Sequence, residues 1–349
     1  MPESLPELDA SDRLLLDRMQ AAVPVTERPF AELGRGCGLG EGEVLDRLRR
    51  LKERKVVRQI SAIFDTRSLG YSSSLVASRV DPARVEEAAA IINRHPGVSH
   101  NYLRDHDFNL WFTIAVSPIS RFGLKATVDL LHREAGAEST RLLPTLRLFK
   151  IGVRFDMGGE AGRAGETSEA GYSEARRVAE APLSDREIAF VRAMQRDLAL
   201  VPAPFIDMAR ELDISLDGLR AMHERFLAAG RLRRFAAVLH HRRAGFAANA
   251  MGVWAAPGDD AEIERLGMIM AGFRAVSHCY RRPTYPDWPY NLFTMVHGRS
   301  AEECEQSLDA IAEATGLTER LSLYSTREFK KVRVRYFSGQ EAEWERPRL

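Results

Sequence analysis

The feature that most limits what this chain can fold into is that its 349 residues state one pattern twice. Met19-Gln20 returns as Met194-Gln195, Pro29-Phe30 as Pro204-Phe205 and Arg58 as Arg233, each 175 residues on (194 − 19, 204 − 29, 233 − 58). Val98-Ser99-His100-Asn101-Tyr102-Leu103-Arg104 returns as Val276-Ser277-His278-Cys279-Tyr280-Arg281-Arg282, an offset of 178 (278 − 100). At Asn109-Leu110 and Asn291-Leu292 the offset is 182 (291 − 109). Such small increments are loop insertions between kept elements, and the second copy carries its extra residues in the Pro-rich run 283–289. Residues 157–182 are rich in Gly, Ala and Glu, which is the composition of a flexible linker. The pattern is that of a dimer made covalent, in which each half holds the other at high effective concentration.

Within the first copy, Ser11 or Asp12 is placed to cap a helix running to about Gln20, with Leu15, Leu16 and Met19 facing a core. Pro29 to Leu33 opens a second helix, and a Gly-rich turn leads to a third, Glu41 to Arg54, with Val44, Leu45, Leu48 and Leu51 in one stripe. Val56 to Phe64 follows as the expected strand pair of a wing. From Ser74 on, the order is strand, helix, strand, strand, helix, strand: Leu75–Val80, a helix burying Val85, Ala88, Ala89 and Ile92, a hairpin of 97–104 and 109–116, a helix from 120 to 135, and a last strand from 141 to 155. The helix spacing recurs with Ile263, Leu266, Gly267 and Met270. The expected class is therefore α+β, a tandem duplication in which each half is a winged helix-turn-helix followed by a ferredoxin-like βαββαβ domain. The boundaries are 8–68, 69–156, the linker 157–182, 183–243 and 244–337. An antiparallel sheet with helices on one face needs its other face covered, and the sheet of the second half is the expected cover.

If both copies of the repeated heptapeptide are extended, His100, Tyr102 and Arg104 share one face with Val98, and His278, Tyr280 and Arg282 share one with Val276. An imidazole, a phenol and a fixed cation in a row can hold an anion and move a proton. Cross-strand pairs on a solvated sheet are the alternative for any one of them; duplication of the set favours a site. Arg58 and Arg233 recur, as do Lys150 and Lys330, and all four join the candidate binding residues. His106, His297 and the pair His240-His241 are further candidates. Adjacent strand histidines face opposite sides, so the pair is poorly placed to share a metal and no protein-held metal is expected. Trp111 and Phe293 read as core.

Lys plus Arg (50) nearly balances Asp plus Glu (49), so no global field recruits nucleic acid or an anionic membrane. On the third helix Arg47, Arg49, Arg50, Lys52 and Arg54 are placed to meet phosphates. The equivalent helix, 216–230, keeps only Arg220 and Arg225 beside Asp217, His223 and Glu224, which is poor for reading a groove. Three scattered cysteines fit neither a disulfide framework nor a metal site and point to a reduced, cytoplasmic compartment. The first ten residues carry no signal-like pattern, and no apolar run is long enough to span a membrane.

A winged helix-turn-helix before a βαββαβ domain resembles the Lrp/AsnC family. His100-Asn101-Tyr102-Leu103-Arg104-Asp105-His106 followed by Asn109-Leu110-Trp111-Phe112-Thr113 is similar to one enzymatic branch, the siroheme decarboxylases of alternative haem and haem d1 biosynthesis. Asn291-Leu292-Phe293-Thr294-Met295-Val296-His297-Gly298 resembles the second subunit type of the denitrifier enzyme. Over 8–156 and 182–337 the chain looks like a fusion of the D-type and L-type subunits. The resemblance implies loss of CO2 from the C12 and C18 acetates of siroheme, with siroheme as substrate and no added cofactor. It casts His100 and His278 as the acid or its partner, Arg104 and Arg282 as carboxylate-steering groups, Tyr102 and Tyr280 as stacking or donating groups, His106 as a substrate contact or second proton donor, and His297, Arg58, Arg233, Lys150 and Lys330 as substrate contacts. No histidine of the second half aligns with His106, which points to specialised halves. The expected partners are siroheme and the internal pseudo-dimer, with room for a further homodimer and without DNA or membrane. The competing readings are a DNA-binding regulator with a small-molecule ligand domain and a tetrapyrrole carrier without turnover.

Overall fold

The computed structural model describes residues 8–151, 182–239 and 248–349; all but the last residue of the expected linker, and His240-His241, lie outside them. In chain order the first copy has helices α1 (Ala10–Ala21), α2 (Pro29–Arg35) and α3 (Glu41–Glu53) and strands β1 (Val57–Phe64) and β2 (Ser72–Arg79). It continues with α4 (Val85–Asn93), β3 (Val98–Arg104), β4 (Leu110–Val116), α5 (Gly123–Ala135), β5 (Ser139–Leu143) and β6 (Arg147–Ile151). The second copy has α6 (Asp185–Met194), α7 (Pro204–Glu211), α8 (Leu216–Ala228), β7 (Leu232–Leu239) and β8 (Ala248–Trp254). It ends with α9 (Asp260–Gly272), β9 (Val276–Arg281), β10 (Leu292–Gly298), α10 (Ala301–Thr315), β11 (Arg320–Lys331) and a short α11 (Gln340–Glu345). Like folds with like. Both helix-turn-helix copies form one unit (1–71, 175–244, 335–338) and both βαββαβ copies the other (72–174, 245–334, 339–349).

In the helix-turn-helix unit Asp9, rather than Ser11 or Asp12, caps α1 by accepting from the Asp12 N–H. The stretch expected to make a two-stranded wing is the single strand β1, and its partner is β7 of the other copy, antiparallel from Val57↔Leu239 to Phe64↔Leu232. The pairing is reciprocal on the outer edges as well: the Val23 N–H donates to the Phe235 carbonyl and the Leu198 N–H to the Ile60 carbonyl. Each copy thus completes the other's strand, satisfying backbone groups that a lone strand would leave open.

The βαββαβ unit is one nine-stranded sheet in the order β5-β2-β4-β3-β11-β8-β10-β9-β6. Each half keeps the ferredoxin-like order, fourth strand, first, third, second. The expected last strand, 141–155, is two pieces. β5 pairs with β2 of its own half, and β6 crosses to the edge strand β9 of the other. β11 does the same without a break, its first part pairing with β8 and its second part with β3. Phe149 on the exchanged β6 lies on α9 where residue 267 is Gly; a Cβ there would stand 2.3 Å from the Phe149 ring, so only glycine admits the crossing strand.

One face of each half packs under its helices, with Val76, Ile92, Phe112 and Leu131 in the first core and Met270, Val276, Val296 and Leu308 in the second. The opposite faces share a third core drawn from both halves, in which Phe108, Trp111, Met251, Trp288, Phe293 and Leu323 are all buried. Trp111 and Phe293 are core, and Trp288, from the Pro-rich insertion, stands 5.2 Å from the Trp111 ring.

The C-terminal α11 closes one end of the first half. Glu345, 3% exposed, accepts from the Ser120 hydroxyl and the Arg121 N–H, and Glu341 accepts from the Ser117 N–H. Trp344 meets the His95 ring edge-on at 4.5 Å. Burial, then the charges of Lys330 and Arg348, push the His95 imidazole down to about 3, so its 3.9 Å approach to Glu341 is not an ion pair at neutral pH. Burial, opposed by the Ser117 N–H and reinforced by Glu345, pushes the Glu341 carboxyl up to about 7. The folded chain therefore keeps a proton that the unfolded chain releases near 4.5, so the stability contributed by this group is fully present below that pH and is lost as pH rises through 7. Removing this carboxylate in Glu341→Gln should spare about 1–3 kcal/mol of that loss. Urea unfolding at pH 5 and pH 8 checks it: the variant's advantage grows with pH, and a pH-independent difference would refute the assignment.

Candidate active site

Both repeated hairpins carry a β-bulge at the serine before the histidine. In β3 the register jumps from Val98↔Ile114 to His100↔Thr113, and in β9 and β10 from Val276↔Val296 to His278↔Met295. The extra residue flips the alternation. Val98 and Val276 therefore pack under the helices, while His100, Tyr102 and Arg104, and likewise His278, Tyr280 and Arg282, take the opposite face. The expected four-residue row is a three-residue row. His100 and Tyr102 are stacked at 6.1 Å and 29°, and His278 and Tyr280 at 6.0 Å and 22°, so the two copies share one geometry.

The arginines of the row have a task the sequence did not suggest. Arg104, 5% exposed, donates from Nη1 to the Leu323 carbonyl of the other half at 2.5 Å and lies over the Trp111 ring. Arg282 donates from Nη1 to the Leu143 carbonyl at 2.5 Å and lies over Tyr280 and Phe293. Leu143 and Leu323 are equivalent positions just before the exchanged segments, so the two guanidiniums clamp the halves crosswise. Burial pushes Arg104 down to about 10. Arg104 and Arg282, expected to steer carboxylates, form a buried clamp between the halves.

The lysines are placed elsewhere too. Lys150 stands opposite the buried Cys279 and Lys330 opposite the buried Asn101, and both lysines are half-buried. Lys150 donates to the Phe273 carbonyl at 2.8 Å, and Lys330 to the carbonyls of Asn93 and His95 at 2.7 and 3.3 Å. They close the ends of α9 and α4, on the face away from the histidines. Arg58 and Arg233 lie on β1 and β7 of the helix-turn-helix unit, where Arg233 pairs with Asp65 at 2.8 Å. His106 accepts the Phe108 N–H on Nδ1 at 3.0 Å, which leaves the proton of its neutral form on Nε2, and it meets Trp288 edge-on at 5.6 Å. Burial lowers its pKa, so it is neutral at pH 7.

Three groups missed from the sequence complete the picture. Ser99 Oγ lies 2.9 Å from His100 Nδ1 and 2.8 Å from Thr113 Oγ1; Ser277 Oγ lies 2.8 Å from both His278 Nδ1 and His297 Nε2. The repeated Ser-His dipeptide was their visible signal. The strand beside each row also differs. Lys331 stands opposite His100 and Glu328 opposite Tyr102, where the second half has Ile151 opposite His278 and Leu148 opposite Tyr280.

The comparisons with known proteins bear on the whole length. Residues 68–150 and 243–330 match the AsnC-like ligand binding domain, and 12–58 match the siroheme decarboxylase NirDL-like HTH domain. The siroheme decarboxylase of Hydrogenobacter thermophilus is 42% identical over 95% of this chain and 96% of its own. The chain belongs to the siroheme decarboxylase family. A single copy suffices to match a separate subunit: the siroheme decarboxylase alpha subunit of Desulfovibrio desulfuricans is 45% identical over 44% of this chain and 87% of its own. A crystal structure of the siroheme decarboxylase NirDL in co-complex with an iron-uroporphyrin III analogue is 35% identical, with a TM-score of 0.76 over 96% of this chain and 97% of that one.

Membership of the siroheme decarboxylase family sets the enzyme reading above the regulator. On α3, Arg47 is held by Asp9, Asp12 and Glu43, Arg49 by Asp46 and the Leu200 carbonyl, and Lys52 by Asp197. Among the described residues no helix is long and apolar enough to cross a membrane.

The clamp is testable. Arg104→Ala deletes a charged hydrogen bond and a buried side chain, and should lower the unfolding free energy by about 2–4 kcal/mol. Denaturant titration measures it; a variant of unchanged stability would show that the guanidinium does not join the halves.

Proposed function

We propose that this chain removes CO2 from the C12 and C18 acetate side chains of siroheme without an added cofactor, yielding 12,18-didecarboxysiroheme for haem d1 or an alternative haem route. The observation that carries the reading is full-length likeness to a siroheme decarboxylase crystallised with an iron-uroporphyrin III analogue, a macrocycle with the carboxylate-rich rim of siroheme. Two identically stacked His-Tyr pairs supply what the reaction needs, one for each half. When CO2 leaves, the electron pair of its C–C bond stays on the side-chain carbon, where the conjugated ring spreads it, and an acid must then protonate that carbon to a methyl group. His100 and His278 are those acids. Tyr102 and Tyr280 lie against them, and in the first half Lys331, paired with Glu328 at 3.9 Å, stands opposite His100. His297 lies beside the second row, 2.8 Å from Ser277 Oγ, whereas His106 sits past the end of β3 against Trp288. Arg104, Arg282, Lys150 and Lys330 serve the fold that carries the site, and the candidacy of Arg58 and Arg233 rests on their recurrence in the sequence alone. The iron belongs to the substrate.

The first half faces a charged strand and the second an apolar one, so their shares of the work differ. Anaerobic incubation of the chain with siroheme, followed by mass analysis, should show stepwise loss of two CO2. His100→Ala and His278→Ala should each slow release by about a hundredfold or more at one acetate, with different acetates affected. Siroheme recovered intact would refute the reaction, and equal losses at both acetates from either change would refute the division of labour.

A further inference from the structure

The two candidate acids match in front and differ behind. On the Nδ1 side of His100 stand two hydroxyls, Ser99 at 2.9 Å and Thr113 at 3.3 Å, themselves 2.8 Å apart. A chain of donation from Thr113 to Ser99 to Nδ1 satisfies all three and sets the imidazole with its proton on Nε2. Hydroxyls at neutral pH have no proton to give away. Behind His278 the Ser277 hydroxyl sits 2.8 Å from Nδ1, 2.8 Å from His297 Nε2 and 3.2 Å from the Met295 carbonyl. It has one hydrogen for three neighbours. At most one of the two imidazole nitrogens can therefore be accepting from it, and the other must carry a proton of its own. The first half has Ala115 at the position of His297 (297 − 182), so the arrangement exists once.

We propose that Ser277 and His297 form a proton relay that recharges His278 from behind, whereas Ser99 and Thr113 hold His100 in a single tautomer. This rests on the reading of His278 as an acid. The balance is simple: His278 gives its Nε2 proton to the electron pair left by CO2 while Ser277 passes its hydrogen to His278 Nδ1 and a protonated His297 passes its Nε2 proton to Ser277 Oγ, so all three end neutral. Between turnovers a proton from water enters at His278 Nε2 and the relay runs back through Ser277 to His297, so one proton from water is consumed for each CO2 and no oxidant or reductant is involved. Ser277 and His297 are positioning residues, acting through His278. Met295 from β10, Ile151 from β6 and the stacked Tyr280 of its own strand face His278, and Ser277 couples it to the ionisable His297.

The test has one readout free of substrate and one with it. In the full-length chain labelled with 15N-histidine, the ring nitrogens of His278 and His297 should titrate as a coupled pair while His100 keeps an unprotonated Nδ1 near pH 7. Ser277→Ala should uncouple the pair and Ser277→Thr should restore the coupling. With siroheme, in a His100→Ala background, Ser277→Ala should slow CO2 release about tenfold with KM little changed, and Ser277→Thr should recover it. Independent titration of His278 and His297 in the unsubstituted chain overturns the relay, as does coupled titration with no rate loss in Ser277→Ala. A His278→Ala chain that releases both CO2 at full rate overturns the parent reading instead, whatever the titration shows.

Discussion

The exchange of last strands between the βαββαβ copies is the constraint on which the rest of that unit depends. An antiparallel sheet with helices on one face leaves an apolar face and two edges open. Here β6 leaves its own half for the edge β9, and the end of β11 leaves its own half for the edge β3, so each copy closes the other. The same step brings Trp111 and Phe293 into one core with Trp288. Loss of either exchanged strand would open an edge, uncover that core and release an arginine clamp together.

The placement of the histidines follows from this closure. A bulge at Ser99 and Ser277 turns the valine before it toward the helices and the His-Tyr-Arg row toward the face the two halves share. The arginine at the inner end of each row reaches across the junction, and the imidazole and phenol farther out are the groups proposed for the chemistry. A motif that looks like one anion site thus has a buried cation that joins the halves and half-buried rings that lie beyond it.

Duplication made the halves alike, and later differences sit beside the repeated row. Lys331 against Ile151, Thr113 against Met295 and Ala115 against His297 change the charge and proton supply around two equal frames. The helix-turn-helix unit shows a comparable change of use. Its recognition-type helix α3 keeps its shape while carboxylates neutralise Arg47, Arg49 and Lys52. The regulator's architecture persists in a family that carries out a decarboxylation.

The sequence by itself determined the duplication, the order of elements, the βαββαβ class, the buried roles of Trp111 and Phe293 and the pair of histidine hairpins. These follow from periodicity and self-similarity, which are local and repeat within a few residues. Only the tertiary structure decided the strand exchange, the loss of Val98 and Val276 from the row, and the fates of Arg104, Arg282, Lys150 and Lys330. A bulge adds one residue without a compositional mark, so the face of every side chain beyond it is set by pairing and not by spacing. The clamps reach across 219 and 139 residues of chain to carbonyl groups, which every residue possesses and no sequence pattern distinguishes.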